Sequence, residues 1–235
     1  MSQNKVFLTA RWENLIIISY KVRPELLEAY IPEGFELDTI NGSAFVSIVA
    51  FDFLDTKVKG LKIPFHVNFP EINLRFYVKN KEKRGVVFIR EFAPRFFIAY
   101  FANLFYNENY RAISMNNHLE QNGKIFLNHT INFKGKKYQI NLEAENKPYM
   151  PASDSTEHFF KEHEWGFGIA KTGETIIYKV EHPLWEVYPI VKFEHNFDFG
   201  AIYGEKWQSL NGEDPYNVAF AKGSPVKVFS GEILK

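Results

Sequence analysis

Glu71, Asn73, Arg75 and Tyr77 alternate with Ile72, Leu74, Phe76 and Val78 in the stretch EINLRFYV. Period-two alternation belongs to a β-strand, whose successive side chains leave opposite faces. One face of this segment therefore carries a carboxylate, an amide, a guanidinium and a phenol. Against water such a row does nothing. Against a cavity, Arg75 can hold an anion and Glu71 can move protons, because a carboxylate beside a cation in a dry site is a tunable acid or base. A third arrangement pairs Glu71 with Arg75 and is purely structural.

Other groups suit the same chemistry. Glu91 and Arg95 flank Pro94, where a strand is expected to pass into an aromatic helix; backbone N–H groups at a helix start, with an arginine nearby, favour an anion. Four of the seven histidines directly follow a glutamate, at positions 158, 163, 182 and 195. Imidazole with carboxylate serves acid/base work and metal binding. Neighbours on a strand point apart, however, and a mononuclear metal needs two or three such pairs to converge, so no metal is assigned. EHEWGF and EHPLWEVY each place a tryptophan two or three residues after the histidine, making His163, Trp165, His182 and Trp185 candidate cavity walls or ordinary core. Arg11 stands ahead of the first apolar run and is a further candidate ligand contact.

These groups need a scaffold of strands. LIIISYKV reads as a buried strand and PELLEAYI as a short helix with Pro24 at its first turn. FELDTI and SAFVSIVAFDF flank Asn41-Gly42, a hairpin turn, and the second arm is apolar on both faces, as in a central strand. Residues 54–70 read as a loop. EINLRFYVK, the NKEKR turn and GVVFIREF form an antiparallel pair. PRFFIAYFANLFY (Pro94–Tyr106) carries a helical aromatic stripe, too short to cross a bilayer. A meander follows to residue 144, then a short helix starting at Ser155, a hairpin around Lys171-Thr172-Gly173, and two short strands at the end. The class is α+β, mostly β, with a large antiparallel sheet and two or three short helices, in one domain over 1–235.

Composition narrows the partners. Lys plus Arg and Asp plus Glu number 28 each in 235 residues, so neither nucleic acid nor an anionic membrane is favoured as a partner. The 24 Phe and 12 Tyr fit a bulky, sheet-rich interior. Without cysteine there is no thiolate chemistry or Cys-based zinc site. Dinucleotide, Walker A, HExxH and GxSxG motifs are missing, so no cofactor is expected. No secretory leader is seen, and a cytoplasmic location is the default. Hairpin edges leave a homo-oligomer open.

The ordered set RWENLIIISYKVRPELLEAYIPEGFELD, NGSAFVSIVAF, FPEINLRFYV, RGVVF, NENY, EHEWGF, VEHPLWEV and KGSPVKV, spanning Leu8 to Val228, resembles the YqjF-like family of bacterial conserved proteins of unknown function. That family is in turn similar to acetoacetate decarboxylase. The resemblance implies a strongly curved antiparallel sheet closing into a cone or barrel around a pocket, with the polar row of EINLRFYV turned inward. It also implies a contrast. The decarboxylase forms a Schiff base on a lysine in a Pro-Lys-Lys setting; the corresponding Arg90–Met115 here has no lysine, and Pro94-Arg95-Phe96 stands in its place. Arginine stays protonated and forms no imine. Two function classes follow for a small polar or carboxylate-bearing ligand: an enzyme, lyase- or hydrolase-like on an organic acid, with Glu71 or Glu91 moving protons; or a non-catalytic binding or sensing module.

Overall fold

The computed structural model describes residues 5–81, 83–94, 110–170 and 172–234. Fourteen strands are described: β1 (Val6–Val22), β2 (Glu36–Leu37), β3 (Ala44–Val58), β4 (Phe69–Asn80), β5 (Lys83–Ala93), β6 (Tyr110–Ala112), β7 (Ser114–Asn122), β8 (Lys124–Phe133), β9 (Lys136–Glu145), β10 (Trp165–Ile169), β11 (Thr175–Glu181), β12 (Ile190–His195), β13 (Asn217–Phe229) and β14 (Glu232–Ile233). The helical pieces are short, including Thr156–Lys161 and Phe199–Tyr203. The mostly-β class expected from the sequence is what the structure has.

The large sheet runs β4–β3–β1–β13–β11–β10–β5, and β5 pairs again with β4. The circuit is therefore ring-like. Most pairings are antiparallel, but β10 and β6 both lie parallel to β5. A second sheet, β12–β9–β8–β7, is separate.

Alternation assigns each face of the large sheet. Ile16, Ile18, Ile48, Leu74 and Phe76 enter one buried cluster with Ile125, Leu127, Ile140 and Leu142 of the second sheet. Leu15, Ile17, Val49, Phe51, Phe53 and Tyr77 enter the other. Strands buried on both faces read as continuous apolar runs, which is why LIIISYKV and SAFVSIVAF show no alternation of polarity.

Several expectations change. PELLEAYI forms two 3-10 turns, Pro24–Leu26 and Glu28–Tyr30, instead of one α-helix; Pro24 and Pro32 leave it too few residues to propagate. Asn41 and Gly42 take left-handed φ of 50° and 74° and close a two-residue turn between Ile40 and Ser43. The arm before that turn, however, pairs with β4 through Glu36–Lys79 and Leu37–Val78, not with β3. The loop expected over 54–70 begins later, because β3 continues to Val58. The two terminal strands are one, β13. The helix expected over Pro94–Tyr106 lies, but for Pro94, outside the described residues.

Candidate functional site

The cavity lies on the Phe51 face of the large sheet and encloses about 150 Å3. Strand β4 contributes Phe69, Glu71, Asn73 and Arg75 at successive odd positions. Strand β5 adds Val86, Phe88 and Glu91. Asn73 and Glu91 are direct register partners, and so are Arg75 and Phe88, because a bulge at this point shifts the register by one residue. That shift lets an odd residue of β5, Glu91, and an even one, Phe88, share the cavity face. The lining continues from β4 onto the adjacent β3 (Val49, Phe51, Phe53) and then β1 (Trp12, Leu15). His163, Trp165, Tyr178 and Trp185 close another side.

Glu71, Asn73 and Glu91 are each 2% exposed. Asn73 Nδ2 donates to Glu71 Oε1 at 3.0 Å. Arg75 donates from Nη2 to the Phe160 carbonyl at 2.9 Å, which fixes the guanidinium against the helix Thr156–Lys161. Ser155 caps that helix by accepting from the His158 amide at 3.1 Å. The helix in turn delivers His163, whose ring lies 4.9 Å from Tyr77 and 5.7 Å from Phe159. Burial of the imidazole, and after it the Arg75 charge, hold His163 well below its usual range, so it is neutral at pH 7. Trp185 is placed by its own amide donating to Glu162 Oε1 at 3.1 Å and by Nε1 donating to Ser224 Oγ at 2.8 Å. Glu162 also pairs with buried Lys161.

Seven of the residues singled out from the sequence therefore meet at one cavity: Glu71, Asn73, Arg75, Glu91, His163, Trp165 and Trp185. Three do not. Tyr77 is buried beyond the lining, with its hydroxyl 2.6 Å from Ser47 Oγ. His182 stacks on Trp185 at 4.0 Å, outside the cavity. Arg11 is exposed and pairs with Glu13 and Asp55; it neighbours Trp12 on the strand and so leaves the opposite face. Arg95 lies outside the described residues. Among the described residues no group of three His, Asp or Glu side chains is placed to hold a metal, and none of the cavity-lining residues is a lysine. Sequence reasoning missed the aromatic wall of Phe51, Phe53, Phe69, Phe88 and Tyr178. Its signal was present as bulky alternating positions on β3 and β4, but the meeting of these with Phe88 and Tyr178 depends on the β5 bulge and the ring-like pairing.

The fold is that of acetoacetate-decarboxylase-like proteins. The acetoacetate decarboxylase of Legionella pneumophila superposes with a TM-score of 0.68 at 12% identity, covering 100% of this chain and 90% of that one. An acetoacetate decarboxylase-like enzyme from Sphingomonas wittichii RW1 gives 0.66 at 10% identity, covering 98% and 94%. The enduracididine biosynthesis enzyme MppR, complexed with pyruvate, gives 0.66 at 10% identity, covering 100% and 92%. Residues 9–225 match the DUF2071 family of uncharacterised conserved proteins, and the chain belongs to it. The uncharacterised protein YqjF of Bacillus subtilis (strain 168) is 28% identical over 154 residues, which are 64% of this chain and 63% of that protein's length. No described helix is long and apolar enough to cross a membrane.

Proposed function

We propose that the cavity beside β4 binds a small carboxylate-bearing organic molecule, with Arg75 taking the carboxylate and Glu71 and Glu91 available to move protons. One observation carries this reading. An amide, two buried carboxylates and a guanidinium from adjacent strands line a single cavity. A low-dielectric site of that kind strengthens charge-assisted hydrogen bonds to an anion. Among the described residues the lining offers no lysine, which argues against imine formation. Non-catalytic binding is the second reading, favoured by the Asn73 amide already occupying Glu71 Oε1.

The test is a calorimetric and thermal-shift screen of small organic acids against the wild type and Arg75→Met. Acid binding lost in Arg75→Met supports the assignment; binding unchanged in that variant overturns it. Turnover lost in Glu71→Gln with binding retained selects the enzyme over the binding module. Borohydride treatment with a β-keto acid is expected to leave no covalent adduct.

A further inference from the structure

The cavity is polar at one end only in part, and its middle is aromatic. Cross-strand register defines the order. Trp12 opposes Phe53, and Phe53 opposes Phe69. One step along β4, Phe51 opposes Glu71; one further, Val49 opposes Asn73. The aromatic row thus stands beside the polar row on the same face. Phe53 and Phe69 stack at 4.7 Å and 12°, with Trp12 meeting Phe51 and Phe53 edge-on at 5.3 and 5.6 Å. These rings form an apolar wall against which a further aromatic ring can pack offset or edge-on.

Unused hydrogen-bonding atoms then specify the ends. Arg75 Nε, Asn73 Oδ1 and both ring nitrogens of His163 are buried and have no hydrogen-bond partner among the described residues. A neutral imidazole offers one donor and one acceptor. This end therefore calls for a head group that both accepts, from Arg75 Nε, and donates, to Asn73 Oδ1. At the aromatic end Trp12 Nε1 and Thr56 Oγ1 are likewise buried with no partner among the described residues, and both residues line the cavity. Trp12 Nε1 can only donate. Buried polar atoms are normally paired, so a donor left open beside an aromatic wall points to an oxygen on the far side of the ring.

We infer that the ligand is an aromatic hydroxy acid with an oxygen substituent at the far end of its ring, of the 3-(4-hydroxyphenyl)lactate type. The carboxylate lies on Arg75, the α-hydroxyl donates to Asn73 Oδ1, the ring sits among Phe51, Phe53 and Phe69, and the ring oxygen accepts from Trp12 Nε1. The inference rests on the carboxylate reading above and adds the body and the far end. It also separates this cavity from one built for a short-chain keto acid, which would leave the aromatic wall and the Trp12 and Thr56 groups without partners.

The experiment is calorimetry on the intact wild-type chain with four probes that differ by one feature each. They are 3-(4-hydroxyphenyl)lactate, 3-phenyllactate without the ring oxygen, 3-(4-hydroxyphenyl)propanoate without the α-hydroxyl, and lactate without the ring. Each missing hydroxyl is expected to weaken binding about three- to tenfold, the span of one net hydrogen bond. Loss of the ring is expected to weaken it about a hundredfold, as removing a buried ring from aromatic walls does. Trp12→Phe keeps the wall and removes the donor, so it should erase the preference for 3-(4-hydroxyphenyl)lactate over 3-phenyllactate. Lactate binding as tightly as the aromatic probes, and lost in Arg75→Met, would overturn the aromatic ligand while leaving the carboxylate reading standing. Aromatic probes that bind equally in Arg75→Met would overturn the carboxylate reading. Failure of all four to bind overturns both.

Discussion

Asn73 reaches along one face of β4 to donate from Nδ2 to Glu71 Oε1 at 3.0 Å, with both side chains buried. The amide thereby orients one oxygen of the carboxylate that borders the cavity. Glu71→Gln preserves an acceptor for Asn73, and its thermal midpoint should stay within a few degrees of the wild type. Glu71→Leu removes the acceptor and leaves a buried amide donor open, which costs roughly 1–3 kcal/mol. For a chain of this size that is a fall of roughly 2–10 °C. Melting curves of the two variants side by side provide the check, and equal midpoints would mean that the Asn73–Glu71 contact contributes nothing.

Tyr77 shares the odd face of β4 with Glu71 but belongs to the frame. Its hydroxyl lies 2.6 Å from Ser47 Oγ, which lies 2.7 Å from Ser19 Oγ, a buried chain of hydroxyls across three strands. Tyr77→Phe removes one end of that chain and should cost about 1 kcal/mol of stability. Acid binding should be unchanged, since the ring remains against Phe159 and Phe160. Calorimetry and denaturant titration on the same preparation separate the two effects. A tenfold loss of affinity would place Tyr77 in the site after all.

The contrast between Tyr77 and its neighbours marks what a sequence can disclose. Alternation along EINLRFYV identifies β4 and its polar face, and the turn at Asn41-Gly42 follows from backbone preference alone. Both are local properties. Whether a polar residue on that face ends at a cavity or inside the frame depends on what the neighbouring strands place opposite it. Ser47 and Ser19 capture Tyr77; beside Val49, Phe51 and Phe88, the side chains of Glu71, Asn73 and Arg75 border the cavity. Glu36–Leu37 teaches the same lesson from the fold. The turn after it is a hairpin turn, yet the arm joins β4, because pairing is decided by sheet topology beyond the turn. Gly223-Ser224-Pro225 reads as a strand break but lies within β13, where Gly223 at φ 84° sits so close to the Trp12 carbonyl that a Cβ would fall 1.9 Å from its oxygen. Close backbone approach of that kind has no signature in one sequence. Arg11 shows the converse error: its type suited an anion site, but strand geometry turns it outward beside Trp12, toward Glu13 and Asp55.

Asp52 joins the two sheets. Asn14 donates to its Oδ2 at 3.0 Å, and Asn117 of β7 donates to its Oδ1. Burial outweighs these bonds and, with nearby Glu13, raises its pKa to about 6. The folded value exceeds the unfolded one, so the folded state favours the protonated acid. Asp52 therefore contributes stability that is fully present below about pH 3.8 and is lost as pH rises through about 6. The span is about 3 kcal/mol. Asp52→Asn keeps an uncharged group at every pH, and its advantage over the wild type should grow between pH 4 and pH 7. Urea midpoints across that range test it; a constant difference between the two proteins would rule out a raised pKa.

His129 works in the opposite direction. It points from β8 into the buried space between the sheets, 1% exposed, and burial lowers its pKa to about 4. The unfolded chain takes up a proton near pH 6.5 that the folded chain refuses. Stability is therefore complete above about pH 6.5 and is lost as pH falls toward 4, by about 3 kcal/mol in all. Because the Asp52 contribution changes with the other sign over an overlapping window, the wild-type curve records their difference and each must be read from its own variant. His129→Leu should flatten the acid limb that Asp52→Asn leaves in place. His163 adds to that limb, since its pKa is also held down; its imidazole carbon resonance should stay at the neutral position from pH 8 to pH 5.5. A His163 resonance that titrates near 6.5 would show that the imidazole is solvated, and with that the neutral donor and acceptor it offers at the cavity would be gone.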